Sequence, residues 1–458
     1  MITGYGELGE VFLDNSWGIA VTIRRLSVVL FVGAGLVAGA CTTSKSAGST
    51  TAAATTAAPT TAGGDTATTA GATTVAASTT AAATTIAPPT GKPFVIGVVN
   101  TEGAPGLDFP EFTNVFKAAA KYVNTEKGGF GGRPVQLETC VSKGTPESSQ
   151  ACAQELASKK VDVVMLGLDI FVDYPTYSAA GIPVFGAVPV LPPDYTADAV
   201  YITAGNLVVQ ASTANAITNS KYLGLKNVVV IANDTAATAS ALASLQPALE
   251  KGGATVTVVK GGETETDAGY RSLMQQAAAA KPDVMVSLYG QSGCVALMRA
   301  RVDLGITVPV FSNTACLADS VLKAVGSAAE GWYFAGASGG AETDDNKVMK
   351  KYVSEVTGVA VDKVDRYGFT SVGWLEEMTL WRIASTMQGE VTGKALIDAL
   401  RSGKAQIWGS DLPLPCGEVK AYSSVCSFSI PFAQYTKNGI EAAFGGDNIS
   451  SLDVIDAK

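Results

Sequence analysis

The chain of 458 residues contains no histidine, and this absence removes several kinds of chemistry. Histidine is the commonest general base and the usual activator of a nucleophilic serine or cysteine. An enzyme built from this sequence would therefore have to use carboxylates or lysine. C-x-x-C pairs are also absent, which together with the missing histidine argues against a metal site. We predict no catalytic residues, no metal and no cofactor.

The sequence also lacks the signatures of nucleotide and nucleic-acid binding. Its formal net charge is −9, and its Lys and Arg residues do not cluster, which argues against nucleic acid as a partner. No G-x-x-x-x-G-K-[S/T] loop occurs, and "GGFGG" at 128–132 lacks the lysine of such a loop, so we interpret it as a turn. The acidic stretch "ETDDN" at 342–346 lacks the ligand spacing of a calcium loop, and we interpret it as a solvated loop edge.

One long apolar run is present near the start of the chain. The 15 residues LSVVLFVGAGLVAGA follow Arg24 and Arg25, which is typical of a signal peptide and too short for a membrane span. We therefore expect export, with a signal peptide over residues 1–40. The first 20 residues carry three acidic side chains, so translation starting near Val21 is an alternative to Met1.

The apolar run ends on Ala-Gly-Ala-Cys, which resembles the lipobox of bacterial lipoproteins. The resemblance implies that Cys41 is lipidated and becomes the new N-terminus, although Ala38 stands where leucine is preferred. Ordinary cleavage with Cys41 left as a spare thiol is the alternative. Residues 42–90 contain 18 Thr and 16 Ala and lack large apolar side chains, so they cannot form a core. We predict a lipid anchor and disordered tether over 41–92.

Six cysteines remain after Cys41, an even number that suggests disulfide bonds in an exported chain. Six cysteines allow 15 connectivities, and buried free thiols are the alternative for each pair. Proximity in the sequence favours three pairs: Cys140 with Cys152, Cys294 with Cys316, and Cys416 with Cys426.

Short β-branched runs alternate with amphipathic stretches along the rest of the chain. The first such run, 94–99, precedes a helical pattern with Phe112, Val115, Phe116, Ala119, Tyr122 and Val123 on one face. Four buried strands with crossover helices predict a parallel, doubly wound sheet. The rhythm restarts at 227–234 and predicts a second copy of the same architecture. We expect an α/β fold of two lobes.

The order of these pieces resembles a known family. The stretches "YVNTEKGGFGGRPVQLETC", "KKVDVVMLG", "AAGIPVFGA" and "LGLKNVVVIAND" are similar to type I extracytoplasmic solute-binding proteins of ABC importers, specifically the branched-chain amino-acid-binding group. The likeness extends over residues 94–440. It implies two lobes joined by a three-crossover hinge, with crossovers near 205–211, 334–341 and 408–420, and it implies a ligand between the lobes.

The resemblance also implies a division of the chain and an early cysteine pair near Cys140 and Cys152. Four segments follow from it: 93–208 as the first part of lobe 1, 209–336 as the first part of lobe 2, 337–410 as the second part of lobe 1, and 411–458 as the lobe 2 tail.

Candidate ligand contacts lie where the predicted strands end, because doubly wound sheets bind ligands at the carboxyl ends of their strands. Tyr289 and Gln291 combine a stacking face with hydrogen-bonding groups. Trp332 and Trp408 lie near predicted crossovers, and we interpret them as hinge packing. The candidate ligand residues are Glu102, Asp169, Phe171, Asp173, Tyr289, Gln291, Asn313 and Thr314.

The candidate residues depart from the family in charge. Asp169 and Asp173 stand where relatives place a hydroxyl-rich turn that holds a ligand carboxylate, and neutral Asn313 and Thr314 fall near the family's acidic residue. Asp169 is equally consistent with a pocket position and with a solvated loop. These differences disfavour a zwitterionic amino acid. We expect a neutral or amine-bearing polar solute, such as an amide.

The sequence thus predicts a monomer that captures a small polar solute at the outer face of a bacterial membrane and delivers it to ABC-importer permease subunits. A ligand sensor of the same fold, acting with a receptor or regulator, is the alternative. A hydrolase using Asp169 and Asp173 is disfavoured, because two acids four residues apart in one loop do not face each other across a substrate.

Overall fold

The computed structural model describes residues 86–104, 108–203, 205–262, 264–411 and 413–455. Residues Ala81–Lys458 form one compact unit. The predicted signal peptide, the lipidation of Cys41 and the tether as far as residue 85 lie outside the described residues. Among the residues that are described, no helix combines the length and apolar character needed to cross a membrane.

Helices and strands alternate through most of the described chain. The helices are α1 Pro110–Glu126, α2 Pro146–Lys159, α3 Tyr174–Ala179, α4 Asn206–Thr218, α5 Ala236–Lys251, α6 Asp267–Ala279, α7 Gln291–Asp303, α8 Asp319–Val325, α9 Asp344–Thr357, α10 Gly368–Thr386 and α11 Gly393–Arg401. The strands are β1 Phe94–Thr101, β2 Val135–Ser142, β3 Val163–Leu166, β4 Val184–Gly186, β5 Ala199–Tyr201, β6 Asn227–Ala232, β7 Thr255–Lys260, β8 Val284–Ser287, β9 Val310–Asn313, β10 Trp332–Ala335, β11 Ser429–Ile430, β12 Phe432–Thr436, β13 Gly439–Ala442 and β14 Ile449–Ser450.

Lobe 1 is built on a parallel sheet with strand order β2-β1-β3-β4-β5. The four strands predicted from apolar runs are present as β1 to β4. Strand β5 was not predicted. It lies at the edge of the sheet beside β4, where Ala199 pairs with Val184. The doubly wound order agrees with the α/β architecture expected from the alternation of strands and helices.

Helix α1 covers one face of this sheet with the apolar side chains that the sequence predicted. Phe112, Val115, Phe116, Ala119, Tyr122 and Val123 are all buried. Helix α10 crosses α1 at very short range, since a Cβ atom added at Gly373 would lie 2.4 Å from Cγ1 of Val115. Glycine at this position therefore permits the close packing of α10 on α1.

Lobe 2 contains a sheet with strand order β13-β12-β10-β9-β8-β6-β7. Strands β6 to β10 are parallel, as expected for a second copy of the lobe 1 architecture. Strands β12 and β13 pair antiparallel, which the sequence analysis did not predict. Helices α4 and α5 cover one face of the sheet, and α6 and α7 cover the other.

Within the described ranges, the chain passes between the two sheets three times. The first passage joins β5 to α4, and the second joins β10 to α9. The third follows α11 and leads to β12. Helices α9 and α10 pack on α1 and so return the chain to lobe 1. These three passages form the hinge of a type I binding-protein fold.

Three disulfide bonds close short loops in the two lobes and in the third passage. Their Cα–Cα distances are 5.5, 5.4 and 3.8 Å for Cys140–Cys152, Cys294–Cys316 and Cys416–Cys426. These are the pairs that sequence proximity predicted. The first joins β2 to α2 and the third lies in the passage after α11.

Candidate functional site

A cavity of about 810 Å³ lies between the lobes. Its lobe 1 wall includes Val188 after β4 and Thr203 after β5, and its lobe 2 wall includes Leu288 after β8 and Asn313 at the end of β9. Strand ends of both sheets therefore meet at one cavity. The volume falls within the range of small-molecule sites, and the position agrees with the rule for doubly wound sheets.

Helices contribute the remainder of the wall. Helix α5 provides Thr238, α9 provides Asp345 and Met349, and α10 provides Phe369 and Trp374. The site is thus assembled from residues more than 100 positions apart in the chain. Aromatic and aliphatic side chains form much of the wall, with hydroxyl and amide groups placed between them, a composition typical of solute-binding cavities.

Asp345 is held in place by an indole of the neighbouring helix. Nε1 of Trp374 lies 3.2 Å from both carboxylate oxygens and donates to them. Asp345 also lies in the first turn of α9, where the helix dipole stabilises a negative charge. The structure corrects the interpretation of "ETDDN" as a solvated loop edge, because Asp345 lies in the first turn of α9 and lines the cavity.

Two of the sequence-predicted ligand residues line the cavity. Oδ1 of Asn313 accepts a hydrogen bond of 2.9 Å from the backbone N–H of Ala315 and so caps a short 3-10 helix, Thr314–Leu317. Thr314 is the first residue of that helix, and both Asn313 and Thr314 are part of the wall. The turn after β9 therefore brings these side chains to the position that strand topology predicted.

Trp408 also lines the cavity, which adds to its predicted role in hinge packing. Its ring packs edge-on against Trp381 with 5.7 Å between centroids, and Nζ of Lys127 lies 5.9 Å from the Trp408 centroid. These contacts fix the indole in the third passage. Trp332, by contrast, is fully buried in β10 inside lobe 2.

Asp169 occupies the interior of lobe 1. It is only 3% exposed, and its Oδ1 accepts a hydrogen bond of 2.5 Å from Oγ of Ser149. Burial raises the pKa of the Asp169 carboxyl, against the opposing effect of hydrogen bonds from Ser149 and Ser142. The interpretation as a solvated loop carboxylate is wrong, because Asp169 is buried against Ser149 of α2, and Asp169 is not among the residues that line the described cavity.

Three other predicted residues serve local structure at the strand ends of lobe 1. Oε1 of Glu102 accepts from Nδ2 of Asn100 at 3.0 Å, and Oδ2 of Asp173 accepts from the Thr176 hydroxyl at 2.6 Å at the start of α3. Phe171 is 37% exposed. None of the three lines the described cavity. Asp173 caps α3, and Asp169 is buried.

Tyr289 packs inside lobe 2 instead of presenting a stacking face at the cleft. It is 1% exposed, its hydroxyl donates to the carbonyl of Gly262 at 3.0 Å, and its ring lies edge-on to Tyr270 at 5.3 Å. Burial raises the pKa of Tyr289 to about 12. Gln291 is the first residue of α7, and its side chain lies outside the described part of the structure.

The sequence analysis missed the wall formed by α9, α10 and the third passage. Asp345, Phe369, Trp374 and Phe428 line the cavity, yet none follows a predicted strand. The available signal was the presence of two tryptophans, Trp374 and Trp408, in the region assigned to lobe 1.

Residues 93–423 match the family described as periplasmic binding protein. The chain therefore belongs to this family, as the resemblance in the sequence indicated. Members of the family bind solutes outside the cytoplasm, so the family assignment implies an extracytoplasmic location. None of the curated proteins matches the chain.

Solved structures with the same fold include three informative relatives. An ABC transporter substrate-binding protein from Sphaerobacter thermophilus is 19% identical, covers 80% of this chain and 100% of its own, and has a TM-score of 0.62. A solute-binding protein from Rhodopseudomonas palustris BisB5 in complex with 3,4-dihydroxybenzoic acid is 19% identical over 80% and 98% of the chains, with a TM-score of 0.56. A leucine-binding protein from Thermotoga maritima MSB8 is 14% identical over 78% and 98%, with a TM-score of 0.56.

Proposed function

We propose that this protein is an extracytoplasmic, lipid-anchored substrate-binding protein of an ABC importer. It captures a small polar solute in the cavity between its lobes, leaves the solute chemically unchanged, and delivers it as a monomer to the permease subunits. The observation that carries this proposal is a cavity of about 810 Å³, lined by strand ends of both lobes, in a member of the periplasmic binding protein family.

The arrangement of the wall supports capture by lobe closure. Lobe 1 contributes Asp345 and Phe369, whereas lobe 2 contributes Thr238 and Asn313. A solute that contacts both sets of side chains binds the closed state more tightly than the open state, and the difference in affinity shifts the population toward closure. A permease that recognises the closed form would then receive only loaded protein.

The solved relatives support the same class of function. The relative from Thermotoga maritima is described as a leucine-binding protein, and the relative from Rhodopseudomonas palustris is in complex with an aromatic acid. Both molecules are small enough for a cavity of this volume. Asn313 and Thr314 are our proposed contacts in lobe 2. Both line the cavity at the end of β9, so a solute bound there would lie within reach of their polar groups.

A screen of solutes against the full-length protein tests this proposal. We expect at least one of a panel of amino acids, amides, polyamines, sugars and aromatic acids to raise the unfolding temperature and to bind at micromolar or lower Kd in calorimetry. Two phenylalanines with equal exposure, Phe369 in the cavity wall and Phe171 outside it, provide a matched pair.

The substitution Phe369→Ala should weaken binding about tenfold or more, because it removes a large apolar contact, while Phe171→Ala should leave the Kd unchanged. If Phe171→Ala weakened binding and Phe369→Ala left the Kd unchanged, the solute would bind at the strand ends of lobe 1 and not in the described cavity. A panel that yields no binding would contradict the proposed function.

A further inference from the structure

The charge of the cavity wall is one-sided. Among the described residues that line the cavity, Asp345 is the only charged side chain, and neither lysine nor arginine is present. A ligand carboxylate would therefore enter a cavity that offers it no cationic partner. Burying an unpaired charge carries a large desolvation cost, so this wall selects against anionic solutes.

The Asp345 carboxylate retains capacity to accept further hydrogen bonds. An ionised carboxylate has about four acceptor sites, and the Trp374 indole supplies one N–H shared between its two oxygens. Trp374 is almost completely buried, so the carboxylate is oriented by a rigid partner. This arrangement pre-organises Asp345 to accept from a donor group that arrives in the cavity.

Aromatic rings surround the same space. Phe369, Trp374, Trp408 and Phe428 all belong to the wall. The face of an aromatic ring carries negative electrostatic potential and attracts ammonium and guanidinium groups, most strongly where water is excluded. The rings and the single carboxylate therefore favour the same sign of ligand charge.

Helix N-termini at the cavity act in the opposite direction, and two of the four are neutralised by side chains. The first turns of α5 and α9 are capped by the hydroxyls of Thr235 and Thr343. Helix α9 also carries Asp344 and Asp345 in its first turn, which offset its positive end. The N-termini of α4 and α10 have no side-chain cap, and a ligand carboxylate would have to bind at one of these two if the wall accepted it.

We propose that the solute carried by this protein is a cation: a molecule with an ammonium or guanidinium group bound by Asp345, and an apolar or aromatic body packed against Phe369 and Trp408. This inference rests on the proposed function. Leucine and 3,4-dihydroxybenzoic acid, found in the names of the relatives, both carry a carboxylate. The class of solute bound here therefore differs from both.

Two sets of probes with matched skeletons isolate the effect of charge. The first set is phenylalaninamide, phenylalanine and 3-phenylpropanoate, and the second is leucinamide, leucine and 4-methylpentanoate. At pH 6, below the ordinary α-amino pKa of about 7.7–8.0, the amide in each set is a cation, the amino acid is a zwitterion and the acid is an anion. Calorimetry with the full-length protein should give a Kd for at least one amide that is at least about tenfold lower than that of its amino acid, with the anion weakest.

The variant Asp345→Asn tests whether this carboxylate is responsible. Asparagine keeps an acceptor for the Trp374 indole but removes the charge, so the preference for the amide should disappear. Asp344→Asn is the control, since Asp344 lies in the same turn, pairs with Lys347 and is highly exposed. It should leave the preference unchanged, and thermal unfolding should confirm that both variants are folded.

The outcomes separate this inference from the proposed function. If an amino acid or an anion binds as tightly as its amide, or if Asp345→Asn keeps the preference, the charge inference is overturned while the substrate-binding function stands. If no amide binds at millimolar concentration, the charge inference is also overturned. The proposed function then falls only if the wider solute panel also yields no binding.

Discussion

Two adjacent glutamates in α10 provide a sharp test of the energetics of lobe 1. Glu376 and Glu377 are fully buried, and none of their four carboxyl oxygens has a hydrogen-bond partner among the described residues. Burial raises the pKa of both carboxyls well above the ordinary value of 4.5, and the charge of Glu377 raises that of Glu376 further. We therefore expect both to be protonated in the folded protein at neutral pH.

The raised pKa values determine the sign of the pH dependence. Below about pH 4.5 the carboxyls are neutral in both the folded and unfolded states, so they do not make the free energy of unfolding depend on pH. Above that pH the unfolded chain releases its protons while the folded protein retains them. The free energy of unfolding therefore falls as pH rises above 4.5 toward the folded-state pKa.

The substitutions Glu376→Met and Glu377→Met keep a similar side-chain volume and remove the unsatisfied polar atoms. A buried polar group without a partner costs about 1–3 kcal/mol, so each variant should gain roughly that amount in free energy of unfolding at pH 7. Urea unfolding at pH 5 and pH 8 should show that the gain is larger at pH 8. Glu376→Gln and Glu377→Gln should remove the pH dependence of their sites without the full gain.

The control is Glu355→Gln, which removes an exposed carboxylate paired with Lys121 at 2.7 Å and should change stability by less than about 1 kcal/mol. A loss of about 3–5 kcal/mol in the methionine variants would refute the reasoning, because a loss of that size is expected when an ionised, paired carboxylate is removed.

Three further predictions concern the anchor, the cysteines and the packing of lobe 1. Cys41→Ala should release the protein into the culture medium while the parent stays with membranes, and equal retention of both would contradict lipidation. Thiol titration of the denatured, unreduced protein should find no free thiol among the six paired cysteines, whereas two or more would show that a pair is not formed. Gly373→Ala should lower the free energy of unfolding by about 1–3 kcal/mol in urea, because its Cβ would overlap Val115, and an unchanged value would show that α10 can shift.

Much of the fold follows from local patterns. The apolar face of α1 and the buried runs of β1 to β4 are visible at the periods of a helix and a strand, which is why their positions were predicted. The disulfide pairs were predicted for a similar reason, since each closes a short loop. The antiparallel strand β12 was missed because it pairs with β10, which lies about 100 positions earlier in the chain, and β13, which pairs with β12, was missed with it.

The sequence by itself determined the two-lobed α/β architecture, the exported class of protein and the strand-end position of Asn313 and Thr314. Only the tertiary structure decided which way the other candidate side chains face. Asp169 and Tyr289 follow buried strands, yet α2 and the turn before α6 cover them, so both became interior residues. Asp345, Phe369 and Trp374 reach the cavity because α9 and α10 return to pack on α1. The packing of α9 and α10 on α1 joins residues that are far apart in the chain. Local periodicity contains no information about which face of α9 or α10 will point toward the cavity.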